Sequence, residues 1–328
     1  MIRVCRTVAL VLVILFSMTG CLTTPVARDL NGYTAIVVQP GDTLQSLAVT
    51  HLKDPSKEWI ISEFNDVTSV APGQKLIIPL NGIEKGGLTA KGYQTVPVIA
   101  YQKLTTNRLD KGAVLKDSLE DQMRFLKENG FNVITIEQFA SFLDFKIRLP
   151  KKSVLITFED DWKNVYDIAY PVLKKYGYPA VLFMEVDDIA DSHSPPSWDI
   201  ISEMSKNGIS IECQSKAIAK MAKLDKKELS RNLVDTVNES ISSSRVVMRN
   251  EMNKELRYLA YPLSEPNILV SEIVRRYDFQ GAFAVKQEGN PFFVQRDRIS
   301  RSVIAGNFTL SMFERSLSLF RREVLEWK

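Results

Sequence analysis

The chain has 328 residues, of which 45% are hydrophobic and 25% are charged, and these values are ordinary for a globular protein. The formal net charge is +3, and the first twenty residues hold two arginines and no acid, so the rest carries 40 basic against 39 acidic side chains. That balance excludes proteins that bind nucleic acid through a strong positive charge. The length allows two folded units, and three cysteines exclude a rich disulfide framework.

Residues 1–20 have the pattern of an export signal. Arg3 and Arg6 precede a short apolar run over residues 8–18, which is too short to span a bilayer comfortably and ends in small residues. The following run, Ser17-Met-Thr-Gly-Cys21, resembles a bacterial lipobox, although methionine stands where leucine is usual. The resemblance implies a lipid on Cys21, a membrane as partner and a cell-envelope location. The alternative is a plain signal or anchor helix.

Two details refine that expectation. Leu22 follows the lipid cysteine where a retention signal would need aspartate, which favours the outer membrane, facing the periplasm, if the host has one. Cys5 would leave with the signal, so Cys213 would be left without a partner for an intramolecular disulfide.

After a tether over residues 21–32, the pattern predicts a small unit over residues 33–80. Residues 36–38 suit a strand, Pro40-Gly41 a turn, and Asp42 or Thr43 the start of a helix. A second helix is expected around residues 59–64, and residues 71–79 read as a turn followed by a strand. The predicted order is strand, helix, helix, strand.

This unit resembles a LysM domain through Gln39-Pro-Gly-Asp-Thr-Leu44, Trp59, Asn65 and Pro72-Gly-Gln-Lys-Leu-Ile-Ile-Pro79. The resemblance implies binding of peptidoglycan or another N-acetylglucosamine glycan in a groove between two loops. Onto this chain it maps six groove residues: Gly41, Asp42, Thr43, Leu44, Pro72 and Gly73. The alternative is a degenerate module that serves as a spacer.

Residues 81–95 are rich in glycine and polar residues, and we expect a linker there. From residue 96 to residue 328, apolar strands alternate with amphipathic helices, which predicts an α/β fold with a parallel sheet closed, or nearly closed, into a barrel. The predicted strands cover residues 96–101, 131–134, 154–158, 180–184, 209–213, 258–261 and 281–285. The predicted helices include residues 117–129, 198–206 and about 225–241.

One of these strands ends in three consecutive acids, Glu159, Asp160 and Asp161. An amphipathic helix follows, and Gly177 is expected to end it. The carboxyl ends of parallel strands are where α/β proteins carry their chemistry, so the cluster is the candidate centre of a site. The alternative is a solvated loop.

Several runs of this region resemble the polysaccharide deacetylase domain, also called the NodB homology or carbohydrate esterase family 4 domain. They are Val96-Pro-Val-Ile-Ala-Tyr101, Leu149-Pro-Lys-Lys-Ser-Val-Leu-Ile-Thr-Phe158, Tyr170-Pro-Val-Leu-Lys-Lys-Tyr-Gly-Tyr-Pro-Ala180, Trp198-Asp199 and Leu259-Ala-Tyr-Pro262. The resemblance implies a distorted barrel of parallel strands that removes acetyl groups from glycans. It also implies zinc or another divalent metal held by one aspartate and two histidines, a preceding aspartate as base, a backbone amide at a proline turn and a late acid histidine.

The acidic cluster matches that pattern in part. Asp160 keeps the position of the metal aspartate, Glu159 stands in place of the base, and Asp161 replaces a glycine. Gln102 follows the first strand where the family often has histidine. Pro262 remains from the oxyanion turn, which here reads Tyr261-Pro-Leu-Ser264 and lacks its aromatic residue and glycine.

The metal histidines themselves are missing. Lys216 stands at the first of their positions, and Lys220 and Met221 stand four and five positions later. His193 is the histidine of the barrel region, and one histidine cannot supply two metal ligands and an acid. Cys213 is expected to pack as a small buried residue.

The sequence therefore predicts a barrel without metal-dependent deacetylation and without a cofactor, attached to a glycan-binding module. Two alternatives stay open: an active hydrolase with altered metal ligands, and a structural or assembly factor for an envelope polysaccharide. Without a metal, Glu159 and Asp160 would repel each other, and the ammonium of Lys216 is predicted to supply part of the missing positive charge. The alternative is that Lys216 points into solvent.

Overall fold

The computed structural model describes residues 28–29, 33–65, 67–80, 87–89, 92–110, 112–159, 161–186, 196–215, 217–218, 231–261, 266 and 268–322. The chain divides into two units, Met1–Asn81 and Gly82–Lys328. The predicted signal, the lipid cysteine Cys21 and the three site residues Asp160, Lys216 and Pro262 lie outside the described residues. Among the described helices, none has the length and apolar character needed to cross a membrane.

The first unit has the predicted order of strand, helix, helix, strand. Its elements are β1 (Arg28–Asp29), β2 (Tyr33–Val37), α1 (Leu44–Leu52), a 3₁₀ turn (Pro55–Lys57), α2 (Glu58–Asn65) and β3 (Lys75–Pro79). The three strands form one antiparallel sheet in the order β1-β2-β3. Both helices contribute to a small core with the sheet: Val38, Leu47, Ala48, Ile61, Leu76 and Ile78.

Local hydrogen bonds explain where these elements begin and end. Thr43 starts α1 as part of a capping box, because its hydroxyl accepts from the amide of Ser46 while the Ser46 hydroxyl accepts from the amide of Thr43. Asn65 ends α2 and holds β3: its side chain donates to the carbonyls of Ile61 and Ile77 and accepts from the Ile77 amide at 2.8 Å.

The second unit is a closed barrel of seven parallel strands. The strands are β6 (Val98–Tyr101), β10 (Ser153–Phe158), β11 (Ala180–Glu185), β12 (Ile209–Gln214), β13 (Tyr258–Ala260), β14 (Gly281–Val285) and β15 (Ile299–Val303). They follow one another around the ring in the order β11-β12-β13-β14-β15-β6-β10, and the pairing of β10 with β11 closes it. The predicted barrel is confirmed.

Helices connect the barrel strands. They are α3 (Lys116–Glu128), α4 (Ile136–Leu143), α5 (Trp162–Asn164), which continues through a π turn (Val165–Ala169) into α6 (Tyr170–Tyr176), α7 (Trp198–Lys206), α8 (Arg231–Met252), α9 (Ile268–Arg276) and α10 (Leu310–Ser316). The short strand β9 (Asn132–Val133) extends the sheet beside β10. Gly177 ends α6 in the left-handed conformation, as predicted.

Short strands lie outside the ring. β4 (Leu88–Thr89), β5 (Gly92–Gln94) and β16 (Phe320–Arg322) form an antiparallel sheet, while β7 (Leu104–Thr105) pairs with β8 (Val114–Leu115). The segment expected to be a linker therefore contains strands, and Tyr93, Gln94 and Thr95 are buried. Its polar composition predicted a loop, but pairing with the distant β16 gives these residues their place.

Alternation along each barrel strand divides the core into two layers. Inside the ring lie Val98, Leu155, Val181, Phe183, Tyr258, Phe283 and Ile299. Between the ring and the helices lie residues such as Ile156, Leu182, Ile211, Cys213 and Leu259. Cys213 is fully buried there, so the expectation that it packs as a small core residue is confirmed.

One predicted helix has other bounds in the structure, and one strand of the structure was not predicted. The helix expected at about residues 225–241 appears among the described residues as α8, which runs on to Met252. The strand β15 was not predicted, because Ser300, Arg301 and Ser302 interrupt its apolar residues. This strand carries a residue that the site depends on.

Candidate functional site at the carboxyl end of the barrel

Glu159 lies at the carboxyl end of β10. Its amide donates to the carbonyl of Tyr101 at 2.9 Å, which continues the pairing with β6 by one residue beyond the strand. Alternation from Leu155 and Thr157 directs the Glu159 side chain to the inside of the barrel, and that side chain is only 4% exposed. The alternative of a solvated loop therefore does not hold for Glu159.

Arg301 of β15 contacts this carboxylate from across the barrel mouth. The Arg301 side chain is fully buried, and its Nη1 forms an ion pair with Oε1 of Glu159. Its Nη2 donates to the carbonyl oxygens of Tyr261 at 3.1 Å and Phe283 at 3.2 Å. The guanidinium carbon also lies 5.4 Å from the centre of the Phe183 ring.

These contacts explain how a buried guanidinium is tolerated. Burial lowers the pKa of Arg301 to about 9, because the interior disfavours the charged form. That value still leaves the side chain protonated at neutral pH, and the carboxylate of Glu159 acts in the opposite direction by favouring the cation. A buried charge is costly unless it is paired and hydrogen-bonded. Here the guanidinium is paired with Glu159 and hydrogen-bonded through Nη2, while Nε and Nη1 have no hydrogen-bond partner among the described residues.

Two amide side chains complete the described part of the mouth. Gln102, directly after β6, donates from Nε2 to Oε2 of Glu159 at 3.2 Å. Gln214 lies beside Glu185 in the pairing of β12 with β11, and its Nε2 lies 3.4 Å from Oε1 of Glu185. The described part of the mouth therefore holds two carboxylates, each with an amide donor, and one buried guanidinium. Such groups can exchange hydrogen bonds with hydroxyl and amide groups of a ligand.

Asp161 has a local role that its position in the acidic cluster does not reveal. It caps α5, because Oδ1 accepts from the amide of Lys163 at 2.8 Å. An acid at the N-terminus of a helix also interacts favourably with the helix dipole. The side chain that replaces the glycine of the family pattern thus helps to start the helix after β10.

Of the residues predicted for the barrel site, the structure describes only Glu159. Glu159 is where the sequence analysis placed it, whereas Asp160, Lys216 and Pro262 lie outside the described residues, so the predicted pairing of Lys216 stays a prediction. The described cation against Glu159 is Arg301, which the sequence analysis missed. A signal was present: alternation in β15 puts Arg301 on the same side as Ile299, inside the barrel.

Among the described residues, the donors do not fit the metal that the resemblance implies. Across the described residues, no three histidine, cysteine, aspartate or glutamate side chains lie close enough together to hold a metal ion. Glu159 is already engaged by Arg301 on one oxygen and by Gln102 on the other. Zinc sites in proteins are built from three or four such ligands.

Glu212, on β12, has a different environment. It is fully buried where β13 begins, and its Oε2 accepts from the amides of Arg257 and Tyr258, both at 3.0 Å. Its Oε1 pairs with the ammonium of Lys254 at 3.0 Å. These contacts join β12 to the start of β13 and give Glu212 a structural role.

In the first unit, the two loops expected to form the glycan groove are neighbours. The amide of Val38 donates to the carbonyl of Gln74, and the amide of Gly73 donates to the carbonyl of Val38, both at 2.8 Å. Gly41 and Gly73 have φ angles of 92° and 84°, a conformation that favours glycine, and a Cβ at either would meet open space.

The polar side chains of the first loop are already used locally. Asp42 accepts from the amide of Gln39 at 2.7 Å, and Thr43 caps α1. The remaining groups for a ligand are backbone atoms and the apolar side chains of Leu44 and Pro72. His51 is partly buried on α1, and this burial lowers its pKa.

The barrel is similar to known proteins in sequence. Residues 146–282 match the sequence model of the polysaccharide deacetylase family. The chain is 28% identical over 172 residues, 52% of its length, to YxkH of Bacillus subtilis, a protein with a provisional assignment as a polysaccharide deacetylase, and spans only 58% of that relative. It is 25% identical over 199 residues to the poly-beta-1,6-N-acetyl-D-glucosamine N-deacetylase of Staphylococcus aureus strain N315, covering 57% of this chain and 68% of the relative.

A solved structure shows the same fold. The Streptococcus pyogenes deacetylase PplD, in complex with acetate, superposes with a TM-score of 0.60 at 18% identity, covering 69% of this chain and 99% of PplD. The second unit of this chain therefore has the NodB-type (β/α) barrel, and residues 146–282 are similar in sequence to polysaccharide deacetylases.

Proposed function

We propose that this protein is a lipid-anchored protein of the cell envelope that binds peptidoglycan or a related N-acetylglucosamine glycan, and that its barrel does not carry out metal-dependent deacetylation. The observation that carries the second part is that Lys216, Lys220 and Met221 stand at the positions of the two metal histidines. The carboxylate at the position of the family's base is buried and engaged on both oxygens. The barrel then contributes a recognition surface instead of a hydrolytic centre.

Two observations support a glycan as the ligand. The relative from Staphylococcus aureus is named for action on an N-acetylglucosamine polymer. The paired loops of the first unit present backbone groups beside Leu44 and Pro72, and such surfaces suit sugars, whose hydroxyl and acetamide groups alternate with apolar faces. The motif resemblance to LysM points to the same ligand class.

The proposal for the barrel is tested by metal retention and acetate release. The purified protein is incubated with zinc, dialysed, and then mixed with acetylated poly-β-1,6-N-acetylglucosamine or with peptidoglycan. We expect no acetate above the background of a Glu159→Gln variant. Acetate release that depends on Glu159 would overturn the proposal and favour the alternative of an active hydrolase with altered metal ligands.

Glycan binding by the first unit is tested by sedimentation of the protein with purified peptidoglycan. We expect Leu44→Glu and Pro72→Glu to reduce the sedimented fraction at least tenfold, because a carboxylate would face the sugar. Val49→Glu is the matched control, since Val49 is 48% exposed on the same helix but outside the two loops. Equal sedimentation of all variants would count against this groove.

Lipid attachment is tested by fractionation of cells that make the protein. We expect the wild-type protein in the membrane fraction and the Cys21→Ser variant in the soluble fraction, because several acyl chains on one residue hold a protein stably on a membrane. Unchanged membrane retention of Cys21→Ser would contradict the anchor.

A further inference from the structure

A row of four aromatic rings lies at the amino end of the barrel, opposite the mouth. Phe145 lies between α4 and β10, Phe292 and Phe293 lie in the segment before β15, and Tyr93 lies on β5, shortly before β6. We propose that this aromatic row is a saccharide-binding surface on which a neutral pyranose ring of a glycan stacks. The ligand class rests on the proposed function, and the surface adds a contact for the glycan on the barrel itself.

The four rings contact one another in sequence. The ring centres of Phe145 and Phe292 are 4.7 Å apart, those of Phe292 and Phe293 are 5.2 Å apart, and those of Phe293 and Tyr93 are 4.9 Å apart. Tyr93 is buried, and Phe292 is partly buried against the apolar residues inside the ring of strands. Phe145 and Phe293 are 42% and 55% exposed. Two anchored rings therefore hold two others at the surface.

The backbone of Phe145 is unusual for a bulky residue. Its φ angle is 55°, in the left-handed region, where glycine is the usual residue at the end of a helix because it has no Cβ. The bonds are those of a Schellman motif: the amide of Lys146 donates to the carbonyl of Ser141 at 2.9 Å, and that of Phe145 to Phe142 at 3.0 Å. Residues in such conformations cluster at binding sites, so this exposed ring is a candidate ligand contact.

Polar groups lie directly beside the aromatic row. Asp144 precedes Phe145 and accepts from the ammonium of Lys146 at 2.8 Å and from the guanidinium of Arg296 at 2.7 Å. Arg296 also lines a cavity of about 370 Å³ with Phe279, within the size range of small-molecule sites. A pyranose has C–H groups on its face and hydroxyl groups at its edge. The rings suit the face, and the carboxylate and cations can exchange hydrogen bonds with the hydroxyls.

Area and charge favour a sugar over a macromolecular partner. The exposed fractions of Phe145 and Phe293 together amount to about 200 Å², because a whole aromatic side chain has about that area. A stable protein–protein interface buries about 800 Å² on each partner. Lys146 and Arg296 already share the carboxylate of Asp144, so they have little charge left for an anionic membrane or an acidic peptide. A small neutral ligand with hydroxyl groups fits these properties.

The test is isothermal titration of the full-length protein with an N-acetylglucosamine hexasaccharide. The background variant carries Leu44→Glu and Gln102→Ala, which weaken the other two proposed glycan contacts. We expect Phe293→Leu on this background to raise the dissociation constant about tenfold, because leucine keeps the apolar bulk but lacks the flat ring. Phe293→Tyr, which keeps the ring, should stay within about twofold. Val246→Ser is the matched control, since Val246 is 53% exposed on α8, and it should leave binding unchanged.

A second variant separates binding from packing. Phe145→Gly removes the exposed ring but supplies the residue that the φ angle of 55° favours. We expect weaker binding, with a melting temperature that falls by no more than about 1 °C or rises. A fall of several degrees with unchanged binding would assign the ring to the stability of the barrel and overturn the inference.

The remaining outcomes distinguish this inference from the proposed function. If the wild-type protein binds the hexasaccharide but the background variant does not, the inference fails and the proposed function stands. If the wild-type protein binds neither the hexasaccharide nor peptidoglycan, both fail. A concentration-dependent dimer in analytical ultracentrifugation that Phe293→Leu abolishes would assign the aromatic row to a second copy of this chain and overturn the inference alone.

Discussion

Two regions of the barrel bury a glutamate, and they satisfy it in different ways. Glu212 lies where β13 begins and accepts two backbone amides together with the ammonium of Lys254. Glu159 lies at the carboxyl end of β10, and its partners are the side chains of Gln102 and Arg301. Half of the partners in the first environment are backbone amides, which any residues except proline would supply at those positions; the others are the ammonium of Lys254 and the hydroxyl of Ser210. The second depends on which residues stand at the ends of other strands.

This difference separates fold from function within one barrel. Backbone donors stay in place when side chains change, so Glu212 can keep its structural role when residues at the barrel mouth are substituted. The partners of Glu159 can be exchanged by substitution without altering a strand, and the carboxyl end is where barrels of this kind vary their chemistry. An exchange of the side chains around Glu159 therefore needs no change in the barrel itself. The same substitution made at both glutamates tests this comparison.

The largest effect is expected from Glu159→Gln. The guanidinium of Arg301 would lose its counter-charge, and because it is fully buried it cannot turn to water. We expect a loss of about 4 kcal/mol in the free energy of unfolding. Urea denaturation measures this loss. The loss of unfolding free energy in a Gln102→Ala variant shows how much of it comes from the contact with Gln102. A loss below about 1 kcal/mol would show that the pair is not structurally important.

Glu212→Gln is expected to cost less, about 2 kcal/mol. Lys254 is 21% exposed and can regain water when its partner becomes neutral, while the amide oxygen of glutamine can still accept from the backbone of β13. The two variants are compared under the same denaturant conditions. Glu212→Gln could instead prove more destabilising than Glu159→Gln. The exposure of the paired Lys254 or Arg301 side chain would then not determine the loss of stability, and the comparison between the two regions would be wrong.

The sequence allows the ring and part of the mouth to be predicted. Runs such as the one starting at Val154 are apolar and of strand length, so their place in a buried parallel sheet follows from pattern alone. Glu159 follows such a run directly, and this fixes its position at the strand end. Arg301 could not be found in this way, because three consecutive polar residues interrupt the strand that carries it, and no apolar run marks that strand. Its partner, moreover, belongs to a distant part of the sequence.

Asp161 shows a different limit. Three consecutive acids suggest a shared role, yet the structure uses Asp161 as a helix cap and Glu159 as half of an ion pair. The sequence shows three acidic residues, but it does not show which of their side chains points into the barrel. Glu159 continues the pairing of β10 with β6, whereas Asp161 is the N-cap of α5, so the two acids serve different parts of the fold.

The smallest effect is expected from Gln102→Ala, at about 1 kcal/mol. The change removes one hydrogen bond to Oε2 of Glu159, but it leaves the ion pair with Arg301 intact, so the charge of the carboxylate remains balanced. The position is at the mouth, so we expect a larger effect on glycan binding by the barrel than on unfolding. Isothermal titration with an N-acetylglucosamine oligosaccharide, compared with urea denaturation of the same variant, separates the two. Gln102→Ala could instead lower the free energy of unfolding as much as Glu159→Gln does and leave glycan binding unchanged. Gln102 would then support the barrel structure, and the contrast drawn between the surroundings of Glu159 and Glu212 would be wrong.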